Sequence, residues 1–127
     1  MTVEAIAYIN EVLIDAGINY EYGMWTQNPI PSPFFVGENI DIEPVNEDGM
    51  TQSTFILTGT GTGTWLELID KKELIESLFP SVGGRVARLE NGSSVAIFFG
   101  TAQTIPSDTI DIKRIQINLT VKEWKVN

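Results

Sequence analysis

The chain has 127 residues, no cysteine, no histidine and a formal net charge of −9. That length suits one domain with a single core, and the two missing residue types exclude disulfides, thiolate and imidazole metal sites, and serine triads built on histidine. The charge disfavours wrapping of nucleic acid, while 43% hydrophobic and 20% charged residues make up an ordinary folded globular chain.

No apolar run is long enough to span a bilayer. The first residues carry Glu4 and Glu11 where a secretion signal is basic, so neither a membrane span nor secretion is expected. A reducing cytoplasm suits a chain without cysteine. In chain order, Thr2 caps a predicted helix running to about Ala16, with Ile6, Ile9, Leu13 and Ala16 on one face and Gly17 at its stop. "NYEYGMW" alternates, placing Tyr20, Tyr22 and Met24 on one side of a predicted strand. "TQNPIPSP" then puts three prolines within five residues, an extended, stiff stretch that pairs poorly in a sheet. It reads as a connector or as a protruding contact loop presenting Pro29 and Pro31.

"FFVGENIDIEP" is a second predicted strand, "VNEDGM" a turn, and "STFILTGT" a third strand rich in β-branched and aromatic residues. A threonine–glycine alternation follows, with Gly59, Gly61 and Gly63, and then Thr64-Trp-Leu-Glu67 in the pattern of a capping box. The helix predicted from Trp65 to about Phe79 buries Leu68, Ile75 and Phe79, with Ile69 and Leu78 beside them; Pro80 and Gly83-Gly84 end it. Asn91-Gly92 separates two apolar runs and predicts a two-residue type I′ hairpin joining Arg85–Glu90 to Ser93–Gly100. "TAQTIPSDT" reads as a polar loop. The last segment alternates over a long span, with Ile115, Ile117, Leu119 and Val121 opposite Arg114, Gln116, Asn118, Thr120 and Lys122, as in a strand with one buried face. The expected fold class is α+β: two helices packed on an antiparallel or mixed sheet, in the order α-β-β-β-α-β-β-β, with no internal repeat and no linker.

Strand, glycine-rich loop and helix also make up the grammar of a phosphate site, but Gly59-x-Gly61-x-Gly63 lacks the G-x-G-x-x-G spacing and no Lys or Arg lies before position 71. No nucleotide cofactor is expected. The glycines let the chain turn from strand into helix and let backbone pack closely; a mobile segment ordered by a partner is the functional alternative. Glu38, Asp41, Glu43, Glu47 and Asp48 lack calcium-loop spacing, and with Asp108 and Asp111 they read as solvated carboxylates, so no metal is expected. With no export signal expected, the sequons at Asn91 and Asn118 read as coincidental.

The charge is unevenly spread. Residues 1–70 hold eleven acids and no base, and residues 71–127 hold six acids and all eight bases, which gives −11 and +2. This is either ordinary solvated surface or the basis of head-to-tail association through Arg85, Arg88, Lys113 and Arg114.

Residues 33–68, "PFFVGENIDIEPVNEDGMTQSTFILTGTGTGTWLEL", with "RVARLENGSSVAIFFGTA" and "IKRIQINLTVKEWKV", resemble small virion proteins of tailed bacteriophages and Gram-positive prophages, of the tail-completion or tail-terminator group. The resemblance covers most of the chain and its element order, and departs from it after "TFILTG", where bulkier or basic residues are expected. It implies a non-enzymatic hexameric ring that caps the tail tube and presents a surface to the head connector or neck, located in the virion tail and assembled in the host cytoplasm. DNA would pass through the lumen without sequence-specific contact. A head-completion or head–tail connector protein is the alternative within this class; a small carboxylate-dependent enzyme or nucleotide-binding module is the alternative outside it.

Overall fold

The computed structural model describes residues 1–41, 49–106 and 109–125. Helices α1 (Val3–Asp15) and α2 (Trp65–Leu78) accompany strands β1 (Tyr20–Tyr22), β2 (Phe34–Asp41), β3 (Met50–Gly61), β4 (Arg85–Arg88), β5 (Ser94–Ile105) and β6 (Lys113–Trp124). The order is the one expected from the sequence. The sheet is mixed: its spatial order is β1-β2-β3-β6-β5-β4, with β1 parallel to β2 and every other pair antiparallel.

Both helices cover one face. Thr2 caps α1, its hydroxyl accepting from the Ala5 amide at 3.2 Å, and α1 buries Ala5, Ile9, Val12 and Leu13. Thr64 caps α2 in the same way, accepting from the Glu67 amide at 3.3 Å. The reciprocal half of the expected box is not made among the described bonds, and the Glu67 carboxylate lies over Gly63 instead. Leu68, Ile75 and Phe79 are buried as expected, each contributing about 1.5–3 kcal/mol of burial. Beneath them lie Phe35, Phe55, Leu57, Ile97, Ile117, Leu119 and Val121.

The chain after β3 crosses the covered face as α2, reaches the far edge as β4, and returns by a meander. Its last strand, β6, therefore ends up between β3 and β5 at the centre of the sheet. Ile115 to Val121 alternate because one face meets the helices and the other does not. At the opposite edge, residues 23–33 carry the chain from the end of β1 back to the start of β2, which runs parallel to it. The proline-rich stretch is thus a crossover, short because β1 has only three residues, and its stiffness suits an extended return. Met24 lies outside β1 and is exposed, so the alternation predicted for "NYEYGMW" stops at Tyr22.

Three expectations are corrected by the backbone. Gly59 and Gly61 belong to β3, Gly59 paired with Phe35 of β2 and Ile115 of β6 and Gly61 with Lys113 of β6, so the loop shortens to residues 62–64. The Asn91-Gly92 turn closes three residues, not two. The Gly92 amide donates to the Leu89 carbonyl at 2.9 Å, the Leu89 amide to the Ser93 carbonyl at 2.7 Å, and only Gly92, at φ 88°, is left-handed. That is a type I turn followed by a glycine bulge; type I′ would need positive φ at Asn91 as well. Asn91 instead accepts from the Ser93 amide at 3.0 Å through its side chain. Finally, "TAQTI" is not loop: β5 continues to Ile105 past a bulge between Phe99 and Thr101. A Cβ at Gly100 would stand 2.8 Å from the Asn118 carbonyl oxygen, which explains the glycine there.

Candidate functional site

The four basic candidates do not form one cluster. Arg85 and Arg88 sit on the edge strand β4, opposite Ile97 and Ser94 of β5; Lys113 and Arg114 open β6, with Arg114 opposite Ile105. The two pairs are separated along β5 by the run from Ile97 to Ile105, roughly 25 Å at about 3.3 Å per residue. Arg85 is committed within the fold: its Nε donates to the Tyr8 hydroxyl at 2.8 Å and its guanidinium lies 5.9 Å from the centre of that ring. Arg88 borders a groove of about 420 Å³ against α1, together with Glu4, Tyr8, Glu11 and Glu90. Arg114 is exposed on the sheet face that the helices leave open, opposite Thr60 of β3.

The other end of the sheet is acidic. Glu21 on β1 and Glu38 and Asp41 on β2 are its charged residues. Glu21 organises the crossover: its carboxylate accepts from the Thr26 amide at 2.7 Å, the Thr26 hydroxyl at 2.5 Å and the Gln27 amide at 3.4 Å. Those bonds, the Thr26 hydroxyl first, hold its pKa below the usual glutamate range. Trp25 packs against Phe34, ring centres 5.3 Å apart and planes tilted by 47°, and donates to the Gln27 carbonyl, the Asn19 amide group donates to the Pro33 carbonyl, and the Thr62 amide donates to the Ser32 hydroxyl. Pro29 is exposed and Pro31 half-buried on this braced loop. Asp41 accepts from the Met1 ammonium at 2.5 Å, from Ser53 and from Asn39, which hold its carboxyl below the usual range, the ammonium contributing most.

Of the three glycines, Gly59 lies under the Phe35 ring. A Cβ there would meet Cε2 and stand 2.8 Å from Cζ and 2.9 Å from Cδ2. Gly61 is looser, its nearest neighbour being Pro33 Cβ at 3.5 Å. Gly63 is half-buried at the mouth of α2. Of the carboxylates named in the sequence, Glu43, Glu47, Asp48 and Asp108 lie outside the described residues; among the described ones, no group of acids is placed to hold a metal ion. Asn118, one of the two sequon residues, is in mid-strand and donates to Thr101 at 2.9 Å.

One residue escaped the sequence reading. Glu123 is buried to 1% exposure, accepting from the Thr2 amide at 3.0 Å and the Thr2 hydroxyl at 2.8 Å. A carboxylate on the last strand thus receives the donors at the start of α1, where the helix dipole favours negative charge. The signal was available: Glu123 falls in the buried phase of the alternation that begins at Ile115.

No protein-family model and no curated protein matches the chain.

Proposed function

We propose that the protein is a structural component of a tailed-phage or prophage virion. In this reading copies join head to tail into a ring, with a hexamer as the stoichiometry the resemblance implies, that caps the tail tube and meets the head connector. One observation supports association of this kind. The two ends of a single sheet carry opposite charge, Glu21, Glu38 and Asp41 at one and Arg85, Arg88, Lys113 and Arg114 towards the other. A heterologous contact joins unlike surfaces, and it forms a ring when its rotation closes. The net charge of −9 suits a channel through which DNA must slide without sticking.

Native mass measurement, alone and with tail-tube protein, tests the reading. A closed oligomer that binds purified tubes is the expected result. Binding to DNA-filled heads in preference to tubes would assign it to the neck instead. A monomer that binds neither overturns the reading.

A further inference from the structure

Each edge of the sheet is only half covered. β4 pairs with β5 from Ser94 to Ile97, and β1 pairs with β2 from Phe35 to Gly37. The remaining lengths, Gly100–Ile105 of β5 and Glu38–Asp41 of β2, have no strand beyond them among the described residues. Ladder parity shows which groups point outward. The Phe99 amide turns away from β6 to reach the Phe79 carbonyl, so beyond the bulge Thr101, Gln103 and Ile105 face β6 while Ala102 and Thr104 face out. The Phe35 amide likewise turns away from β3 to Asn19, so Asn39 and Asp41 face out. No backbone hydrogen bond among the described residues closes on any of these four.

We propose that the free half of β5 is a docking site for the free half of β2 in a second copy of this chain, added as an antiparallel strand. The inference rests on the head-to-tail reading above and names its contact. Four observations carry it. The two free segments each offer two outward residues at a spacing of two. The β5 segment from Gly100 to Ile105 has no charge and no proline, the devices that usually protect an edge, whereas β4 carries two arginines and β1 is only three residues long. β5 and β2 run in opposite directions within the sheet, so copies in one orientation meet antiparallel with all their helices on one side. Pairing Ala102 with Asp41 and Thr104 with Asn39 also sets Glu38 opposite Ile105, whose inner neighbour on the same face is Arg114. Two strand spacings, about 10 Å, separate the Glu38 and Arg114 backbones, within the combined reach of the two side chains.

Proline tests this directly. Ala102→Pro or Thr104→Pro removes an outward amide and leaves the bonds to β6 intact. Each is expected to raise the dissociation constant of the assembly about tenfold or more by sedimentation, with circular dichroism and melting temperature near wild type. Because the chain lacks cysteine, a second measurement stands apart from any folding defect: Gln103→Cys mixed with Ile40→Cys is expected to form a disulfide-linked pair, and Gln103→Cys alone none. Cross-linking by Gln103→Cys alone would mean a symmetric β5 contact and overturn the proposal. Folded proline variants that assemble like wild type would also overturn it, and leave the ring reading standing. Proline-sensitive dimers or filaments that do not close would uphold the edge contact and sink the ring. A wild-type chain that stays monomeric overturns both.

Discussion

Alanine at Gly59 and at Gly61 should move stability in opposite directions. Neither glycine has positive φ, so the backbone accepts alanine at both, and only the space beyond the Cα differs. At Gly61 the new methyl would stand in ordinary contact, 3.5 Å from Pro33 Cβ. Removing a glycine from a strand interior then stabilises by about 0.5–1 kcal/mol. At Gly59 the methyl would overlap the Phe35 ring, which is 0% exposed and cannot swing into solvent. Overpacking of this kind costs about 1–3 kcal/mol, so the net loss after the backbone gain is about 1–2 kcal/mol. The two variants should therefore differ by about 2 kcal/mol, or roughly 6–10 °C in melting temperature for a domain of this size. Urea unfolding followed by circular dichroism measures it. Phe35→Leu should cost less in the Gly59→Ala background than alone, because the two side chains contest one space. If Gly59→Ala melts at or above wild type, or if both alanines shift stability alike, the close approach of ring to backbone is not what places glycine here.

Glu123→Ala should cost about 2–3 kcal/mol, since two hydrogen bonds to a buried carboxylate are lost and the Thr2 donors are left unpaired; an unchanged urea midpoint would refute its role in seating α1. Gly92→Val should cost about 1–2 kcal/mol for a left-handed β-branched residue, whereas Asn91→Ala should lose only the bond to Ser93, about 0.5–1.5 kcal/mol; a larger loss at Asn91 than at Gly92 would speak against the glycine-bulge turn. Arg114→Glu should shift the assembly toward monomer, and salt near 1 M, where screening shortens to about 3 Å, should weaken the wild-type assembly; identical sedimentation in low and high salt would leave apolar and backbone contacts to carry it. Glu21 has a depressed folded-state pKa, so its bonds to Thr26 and Gln27 contribute above the ordinary glutamate value and are lost as pH falls through the folded value. The protection of the Thr26 amide relative to its intrinsic exchange rate should fall on acidification, and Glu21→Gln should remove most of that pH dependence.

What the sequence made legible follows from what each pattern encodes. The periods of α2 and β6 reflect one buried face each, and that face exists whichever neighbours the element has. Caps at Thr2 and Thr64 are local and were readable for the same reason. Period two is silent about neighbours, so nothing in "IQINLTV" distinguishes a central strand from an edge, and the place of β6 between β3 and β5 had to come from the fold. The glycines left two readings open because glycine marks both a mobile loop and a strand under an aromatic ring. The ring responsible, Phe35, is 24 residues away along the chain and meets Gly59 only through the register of β2 with β3. At the hairpin, Asn-Gly is compatible with two turns, and the carbonyl of Leu89 chose between them by accepting from Gly92.

The candidate site was legible as charge and not as place. The split of −11 and +2 along the chain becomes a split across the sheet because β1 and β2 come from the acidic half and β4, β5 and β6 from the other. β3, also from the acidic half, lies between β2 and β6 and so carries no edge. Had the meander run in the opposite order, with β4 beside β3, the same sequence charge would have put β6 and its Arg114 at the outer edge. Topology therefore decides which basic residues can meet an acidic neighbour. It leaves Arg85 occupied by Tyr8 and places Arg114 one strand in from an uncovered edge. Between the two arginines, Arg114 is the one whose reversal should register in assembly, and Arg85→Ala should register first in stability, through the lost Tyr8 contact.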